Sequence, residues 1–210
     1  MNTVFSAFVS GAVLGLSAGL SPGPLLTLVI TETLRSGIAA GIRLAVAPLI
    51  TDTPIIVVAL ILMPRLNASP GVMGVIALAG AVFIAGMAIE SMTFKGAAAE
   101  EVPAPPASIW RGVFANALNP NPYLFWFTVG GPLVLRTATR NWAAAAVFIL
   151  VFYGGLVGSK IVLALAVGRY RRFLQSGVYV WTLRLLGGVL LVFAGKFLWD
   201  AAVFFGWING

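Results

Sequence analysis

The chain alternates between long apolar runs and short stretches that are polar or rich in proline. A helix that crosses a bilayer needs about 20 predominantly apolar residues, and the runs have that length. The first run, Met1–Thr31, carries no charge and is long enough for one helix with a break inside it. The pattern predicts an all-α integral membrane protein with about six transmembrane helices. The later runs are Leu44–Pro64, Leu66–Ile89, Gly112–Leu135, Asn141–Gly168 and one centred on Leu185–Gly195.

Residues 95–110 separate the third run from the fourth. This stretch contains the acidic pair Glu100 and Glu101 and three closely spaced prolines, which cannot continue a helix. We expect a cytoplasmic linker here, between a first three-helix repeat at 1–94 and a second at 111–210. Because three spans is an odd number, the second repeat would cross the membrane with inverted topology.

The composition agrees with a lipid environment. Hydrophobic residues make up 60% of the 210 residues and charged residues only 9%, whereas roughly a quarter of a soluble domain is charged. The 13 Lys and Arg residues, which contribute to a net charge of +7, are scattered between the apolar runs. This distribution fits a lipid bilayer with anionic headgroups as the partner and argues against nucleic acid.

Cysteine and histidine are both absent from the sequence. Their absence excludes disulfides, thiolate redox chemistry and the usual zinc ligands. The sequence also lacks a phosphate-binding loop of the Walker A type. No paired carboxylates suited to catalysis fall at membrane depth. We therefore predict no enzymatic activity, no catalytic residues, no metal site and no cofactor.

The basic residues are distributed unequally between the two sides of the predicted membrane. The side that holds the larger number is expected to be cytoplasmic. This places both termini on the extracytoplasmic side of a multi-pass protein of the plasma membrane. The cytoplasmic set is Arg35, Arg43, Lys95, Arg111, Arg169, Arg171 and Arg172, with Arg184 close by, and the opposite set is Arg65, Arg136 and Arg140, with Lys196 near the end of the sixth run.

Two proline motifs interrupt the first and fourth runs in corresponding places. Proline inside a helix removes a backbone donor and clashes with the carbonyl one turn earlier. Each motif also reads as a helix start, because Ser21 and Asn119 are good N-caps and Pro22 and Pro120 suit the first helical position. Broken helices paired in inverted repeats are typical of a transporter's binding site near the bilayer midplane. The motifs are Ser21, Pro22, Gly23 and Pro24, and Asn119, Pro120, Asn121 and Pro122.

Asp52 and Lys160 are charged residues inside the second and fifth runs. A charge at the centre of a spanning helix costs roughly 2.5–3.5 kcal/mol on insertion scales. The two residues either neutralise each other as a structural pair, or Asp52 contacts a substrate ammonium or takes a proton while Lys160 contacts a carboxylate. Asn116, one turn before the second motif, either lines the same cavity or serves helix packing.

Other small and polar residues have simpler interpretations. Gly11, Gly15 and Gly19 recur every four positions and are expected to let helices approach closely, which leaves a homodimer open. Glu32 and Arg35 are expected to form a solvated local pair at the cytoplasmic end of the first span.

The residues resemble a known family, the LysE/RhtB exporters. The first motif followed by Arg35, Ser36, Gly37, Gly41 and Asp52 is similar to that family's first repeat. The second repeat is matched by Leu118, Asn119 and Pro120 and by the aromatic run Tyr123–Phe127. The resemblance implies a six-helix fold of two inverted repeats and export of amino acids or related small solutes, driven by an ion gradient.

The leading hypothesis is therefore a secondary exporter of small charged or zwitterionic solutes, working by alternating access. A proton or a sodium ion is the expected coupling ion. An exporter of inorganic cations or metals is a second hypothesis, although one acidic residue without His or Cys makes a poor site for a dehydrated cation. A membrane assembly factor without transport activity is a third.

Overall fold

The computed structural model describes residues 3–66, 70–93, 109–170 and 176–208, and these residues are helical apart from short turns and connections. This confirms the predicted all-α fold. Ten α-helices and one π-helical segment, Trp126–Gly130, follow one another along the described chain. The α-helices are α1 Thr3–Leu20, α2 Pro24–Ser36, α3 Ile38–Ala45, α4 Ala47–Leu66, α5 Pro70–Thr93, α6 Ile109–Ala117, α7 Pro120–Phe125, α8 Gly131–Ala138, α9 Trp142–Arg169 and α10 Gly177–Phe204.

Among the described residues, five helical stretches are long and apolar enough to cross a membrane, and only 28–44% of the 18-residue apolar window of each is buried inside the protein. Many of the side chains that they expose are large and apolar, as lipid requires. The predicted fourth span is not a single long helix. It is assembled from α6, α7, the π-helical segment and α8, so the second proline motif divides it.

The second predicted span begins earlier than its apolar run, because α3 leads into α4 through Val46 alone. Gly37 separates α2 from α3 with a φ of +90°, a conformation that favours glycine. The predicted linker at 95–110 lies outside the described residues, except that 109 and 110 begin α6. Lys95, Arg171 and Arg172 also lie outside the described residues.

Packing between the two halves of the chain is reciprocal. The first span, α1, packs along α9, which is the second span of the other half. The divided fourth span packs on α4, the second span of the first half, through α6 and α8. The third spans of the two halves, α5 and α10, pack along each other. Each span of one half therefore packs against the same partner spans in the other half as its counterpart does.

The glycine stripe of α1 faces α9. A Cβ at Gly11 would lie 2.8 Å from the carbonyl oxygen of Phe148, and one at Gly19 would lie 2.7 Å from that of Leu156. A Cβ at Gly15 would overlap the carbonyl of Phe152. The expectation of close helix approach is confirmed, and the stripe is occupied by a helix of the same chain.

An aromatic cluster forms the centre of the main hydrophobic core. Phe125 stacks on Phe152 with ring centroids 4.7 Å apart, and Trp126 meets Phe152 edge to face at 5.4 Å. Phe148 stacks on Phe152 from one helical turn away along α9. We refer to Phe125, Trp126, Phe148 and Phe152 as the aromatic cluster.

The π-helical segment that carries Trp126 has a local cause. Pro132, at the start of α8, has no N–H, and its ring would clash with the carbonyl of Thr128 in a regular helix. A helix relieves such a clash by widening. The carbonyl of Thr128 instead projects toward Gly80 of α5, where a Cβ would lie only 2.8 Å away. The wider turn leaves Trp126 fully buried beside the proline break.

Candidate functional site

The first proline motif breaks the chain between α1 and α2. The hydroxyl and the N–H of Ser21 both donate to the carbonyl of Ser17, at 2.7 and 2.9 Å. Ser21 therefore ends α1. The N-cap of α2 is Gly23, and Pro24 takes the first helical position. The prediction that Ser21 and Pro22 begin the second helix is wrong by two residues, because the Ser21 hydroxyl is engaged by the preceding turn.

Lys160 satisfies the backbone that this break leaves open. Pro22 has no N–H to donate to the carbonyl of Ala18, and the helix ends before Gly23 can donate to that of Gly19. The Lys160 ammonium donates to both, at 3.3 Å to Ala18 and 3.0 Å to Gly19. A cation at the carboxyl end of a helix is also favoured by the helix dipole. The break and the buried charge therefore stabilise each other.

The second motif breaks the fourth span between α6 and α7. Asn119 is the N-cap of α7, and its side chain accepts from the N–H of Asn121 at 3.1 Å. Pro120 begins the helix. Both predictions for this motif are confirmed. The carbonyl of Ala117, freed at the end of α6, accepts instead from the hydroxyl of Tyr123 at 2.9 Å.

Asp52 is held by neutral polar groups from two spans. The Asn116 amide donates to Oδ1 of Asp52 at 2.9 Å and to the Thr51 hydroxyl at 2.6 Å. The Thr51 hydroxyl in turn donates to Asp52 at 3.1 Å. All three side chains are buried. Asn116 thus connects α6 to α4 at the carboxylate, which supports the view that it belongs to the cavity.

The two breaks and the two charges meet in one central cavity. The empty space in it, including open solvent at its mouth, is about 700 Å³. Pro24 is exposed and lies outside the lining, and the side chain of Pro120 lies outside the described set. The other predicted site residues all line the cavity: Ser21, Pro22, Gly23, Asp52, Asn116, Asn119, Asn121, Pro122 and Lys160.

Asp52 and Lys160 do not form a direct ion pair. Both are almost fully buried, with 3% and 4% of their surfaces exposed, and both line the central cavity. Their hydrogen-bond partners differ, since Asp52 accepts from Asn116 and Thr51 while Lys160 donates to the end of α1. The hypothesis of a mutually neutralising pair does not describe this conformation.

Two polar residues beside Asp52 were missed at the sequence level. The indole of Trp126 and the hydroxyl of Tyr153 both lie in the surroundings of the Asp52 carboxyl. Both groups approach the carboxylate as donors, but neither reaches the distance and angle of a regular hydrogen bond. Tyr153 precedes Lys160 by two helical turns, so helical periodicity alone places both on one face of α9.

Glu32 is buried and contacts Arg111, contrary to the expected solvated pair with Arg35. Only 2% of the Glu32 side chain is exposed, and its Oε2 lies 3.7 Å from the Arg111 guanidinium. The Ser36 hydroxyl also donates to Glu32. The ion pair joins α2 to α6, which belong to the two broken spans. Proximity along the sequence favoured Arg35 and gave no indication of Arg111.

Helices long enough to cross a membrane surround a charged internal cavity, an arrangement typical of a multi-pass membrane transporter. The chain belongs to the LysE type translocator family, whose model matches residues 16–201. The match covers both proline motifs, Asp52 and Lys160, and it confirms the resemblance drawn from those residues. Comparison with curated proteins and with solved structures gave no match.

Proposed function

We propose that this protein is a secondary transporter that exports amino acids or related small charged or zwitterionic solutes by alternating access. The observation that carries the proposal is a single cavity that contains a buried carboxylate and a buried ammonium without a direct bond between them. Each charge is expensive at membrane depth. A zwitterion that brings an ammonium to Asp52 and a carboxylate to Lys160 would neutralise both.

The cavity favours a zwitterion over a bare cation. The ammonium of Lys160 would repel a metal ion. Among the described residues, no group of three or more Asp, Glu, His or Cys could hold a metal ion. Hard cations prefer six or more oxygen ligands. The inorganic-cation hypothesis therefore finds no specific support.

The proline breaks supply the proposed moving parts. At each break the backbone lacks regular helical hydrogen bonds, so the two arms of a span can change their mutual angle at low cost. The reciprocal packing of the two halves supports a pair of inverted repeats, 1–94 and 111–210, joined by the linker at 95–110. In this scheme both termini are extracytoplasmic in the plasma membrane, and a proton or sodium gradient drives export.

Counterflow in proteoliposomes tests the proposal. Purified protein is reconstituted and screened with labelled cationic, anionic and neutral amino acids, with and without imposed proton and sodium gradients. Asp52→Asn and Lys160→Met should each lower counterflow of an accepted solute by about tenfold or more, because a charge-assisted hydrogen bond contributes about 1.5–3 kcal/mol. Arg169→Met removes a cation from the exposed end of the same helix as Lys160 and serves as the matched control.

Counterflow at the wild-type level in both cavity variants would refute the assigned roles. Absence of counterflow for every amino acid tested, in protein that is monodisperse, would refute the solute class.

A further inference from the structure

A second pocket, which we call the polar pocket, opens at the end of the bundle opposite the Glu32–Arg111 ion pair. It lies where α1 and α9 begin and α8 and α10 end. Its walls carry three cations, Arg136, Arg140 and Lys196, one carboxylate, Asp200, and hydroxyl groups of α1. The empty space in it, open solvent included, is about 1150 Å³. The pocket is therefore large enough for a multi-atom anion.

The charges in the polar pocket do not balance. Arg136 donates to Asp200 at 2.9 Å, and this ion pair occupies the carboxylate. Arg140 and Lys196 come from different elements, the turn before α9 and the body of α10. Within the described ranges, neither lies within ion-pair distance of a carboxylate. Among the described residues, two of the three cations on this concave surface therefore have no carboxylate within ion-pair distance.

Lys196 lies in the body of α10, and its side chain is exposed where it lines the polar pocket. It precedes the last residue of α10, Phe204, by eight residues, which corresponds to about 12 Å along a helix with a rise of about 1.5 Å per residue. Its side chain is directed into the polar pocket with the serines of α1, among them Ser6 and Ser10.

We propose that the polar pocket is a binding site for an anion that carries phosphate or carboxylate oxygens. Arg140 and Lys196 would supply the charge, since charge-assisted hydrogen bonds to such oxygens are short and strong. The hydroxyls of Ser6 and Ser10 would supply neutral donors. The Arg136–Asp200 pair would form one wall and would not be displaced.

The site is distinct from the central cavity. Phe148 lines the polar pocket, and Phe152, one turn along α9, lines the central cavity. The aromatic cluster therefore separates the central cavity from the polar pocket. Basic pockets between transmembrane helices can hold lipid headgroups, and a soluble anion presents the same oxygens. A lipid headgroup and a soluble anion would therefore contact the same side chains, and the experiment below distinguishes the two.

Two binding measurements on the purified full-length protein test the site. In the first, inorganic phosphate is titrated against thermal unfolding in detergent, with sodium chloride matching the ionic strength. In the second, native mass spectrometry counts phosphatidylglycerol retained from nanodiscs of phosphatidylglycerol and phosphatidylcholine. The test variant is Arg140→Gln/Lys196→Gln, and the control is Arg43→Gln, an exposed cation of α3 at the other end of the bundle.

A phosphate-dependent rise in Tm in wild type and control, with at least about tenfold weaker apparent affinity in the double variant, identifies a site for a soluble anion. Retention of phosphatidylglycerol that the double variant loses identifies a lipid headgroup. The three side chains that are changed, Arg140, Lys196 and Arg43, are all exposed, and size-exclusion profiles establish that the variants fold. If neither phosphate nor phosphatidylglycerol distinguishes the double variant from the control, the proposal is wrong.

Discussion

The buried ion pair between Glu32 and Arg111 leads to a sharp prediction about how the central cavity opens. Glu32 lies eight residues beyond the start of α2, and Arg111 lies eight residues before the N-cap of α7. The pair thus joins the two broken spans on the same side of their breaks. Opening the cavity toward that side by parting α2 from α6 must break it. Removing the pair should therefore favour the open state.

The expected magnitude follows from the geometry. At an N–O distance of 3.7 Å, Coulomb's law gives about 4.5 kcal/mol for an effective dielectric constant of about 20 and about 1.1 kcal/mol in bulk water. The carboxylate is 2% exposed and the guanidinium 33% exposed, so screening acts mainly on Arg111. We expect a coupling of about 1–2 kcal/mol, which changes the ratio of two states by a factor of about 5–30.

Cysteine accessibility can measure this change because the natural sequence contains no cysteine. Ser21→Cys places one thiol at the lining of the central cavity. The rate of its reaction with a membrane-impermeant maleimide, applied from the side where Arg111 lies, should rise about 5–30-fold when Arg111→Gln or Glu32→Gln is added. The double variant should add little to either single one, because one interaction is lost in all three.

Arg136→Gln is the control, since it breaks the more exposed ion pair at the opposite end. It should leave the rate from the Arg111 side unchanged. Equal labelling rates in the parent and in the Glu32 and Arg111 variants would refute the role of this pair. A double variant whose effect equals the sum of the two single effects would refute it as well.

Two further predictions concern helix packing and the carboxylate. Gly15→Ala places a methyl group against the Phe152 carbonyl and should cost about 1–3 kcal/mol by overpacking, which lowers the Tm in detergent. The control Gly158→Ala in α9, where a Cβ meets nothing within 4 Å, should leave the Tm unchanged. Equal Tm values for the two variants would contradict the close packing of α1 on α9. Asn116→Leu removes the amide that donates to Asp52 and Thr51 and should lower counterflow about tenfold while the protein stays monodisperse; wild-type counterflow would mean that the position of the carboxylate does not depend on Asn116.

The elements that could be predicted from sequence are those with local causes. Prolines two residues apart break a helix wherever it lies, so both interruptions were predictable from Pro22, Pro24, Pro120 and Pro122. That the breaks share a cavity with Asp52 and Lys160 followed from their corresponding places in the two halves. The N-cap of α2 was misplaced because the Ser21 hydroxyl can serve either the turn before it or the turn after it.

The features that sequence could not predict depend on contacts between distant residues. Glu32 is buried because α6 places Arg111 against it, and nothing in its own helix indicates that. The Lys160 ammonium could equally have met Asp52, and only the approach of α1 to α9 along the glycine stripe brings it to the carbonyls of Ala18 and Gly19. The π-helical turn likewise requires both Pro132 and the open surface of Gly80.

The bonds from Lys160 to the end of α1 have a consequence for ligand binding. An ammonium has three N–H groups, and two of them already donate to the carbonyls of Ala18 and Gly19. A ligand that accepts one hydrogen bond from Lys160 can bind while both bonds to the end of α1 stay intact. A carboxylate that accepts two must take at least one N–H away from the carbonyls of Ala18 and Gly19. The backbone and the solute then compete for the same protons, so occupancy of the cavity would be transmitted directly to the flexibility of the first span.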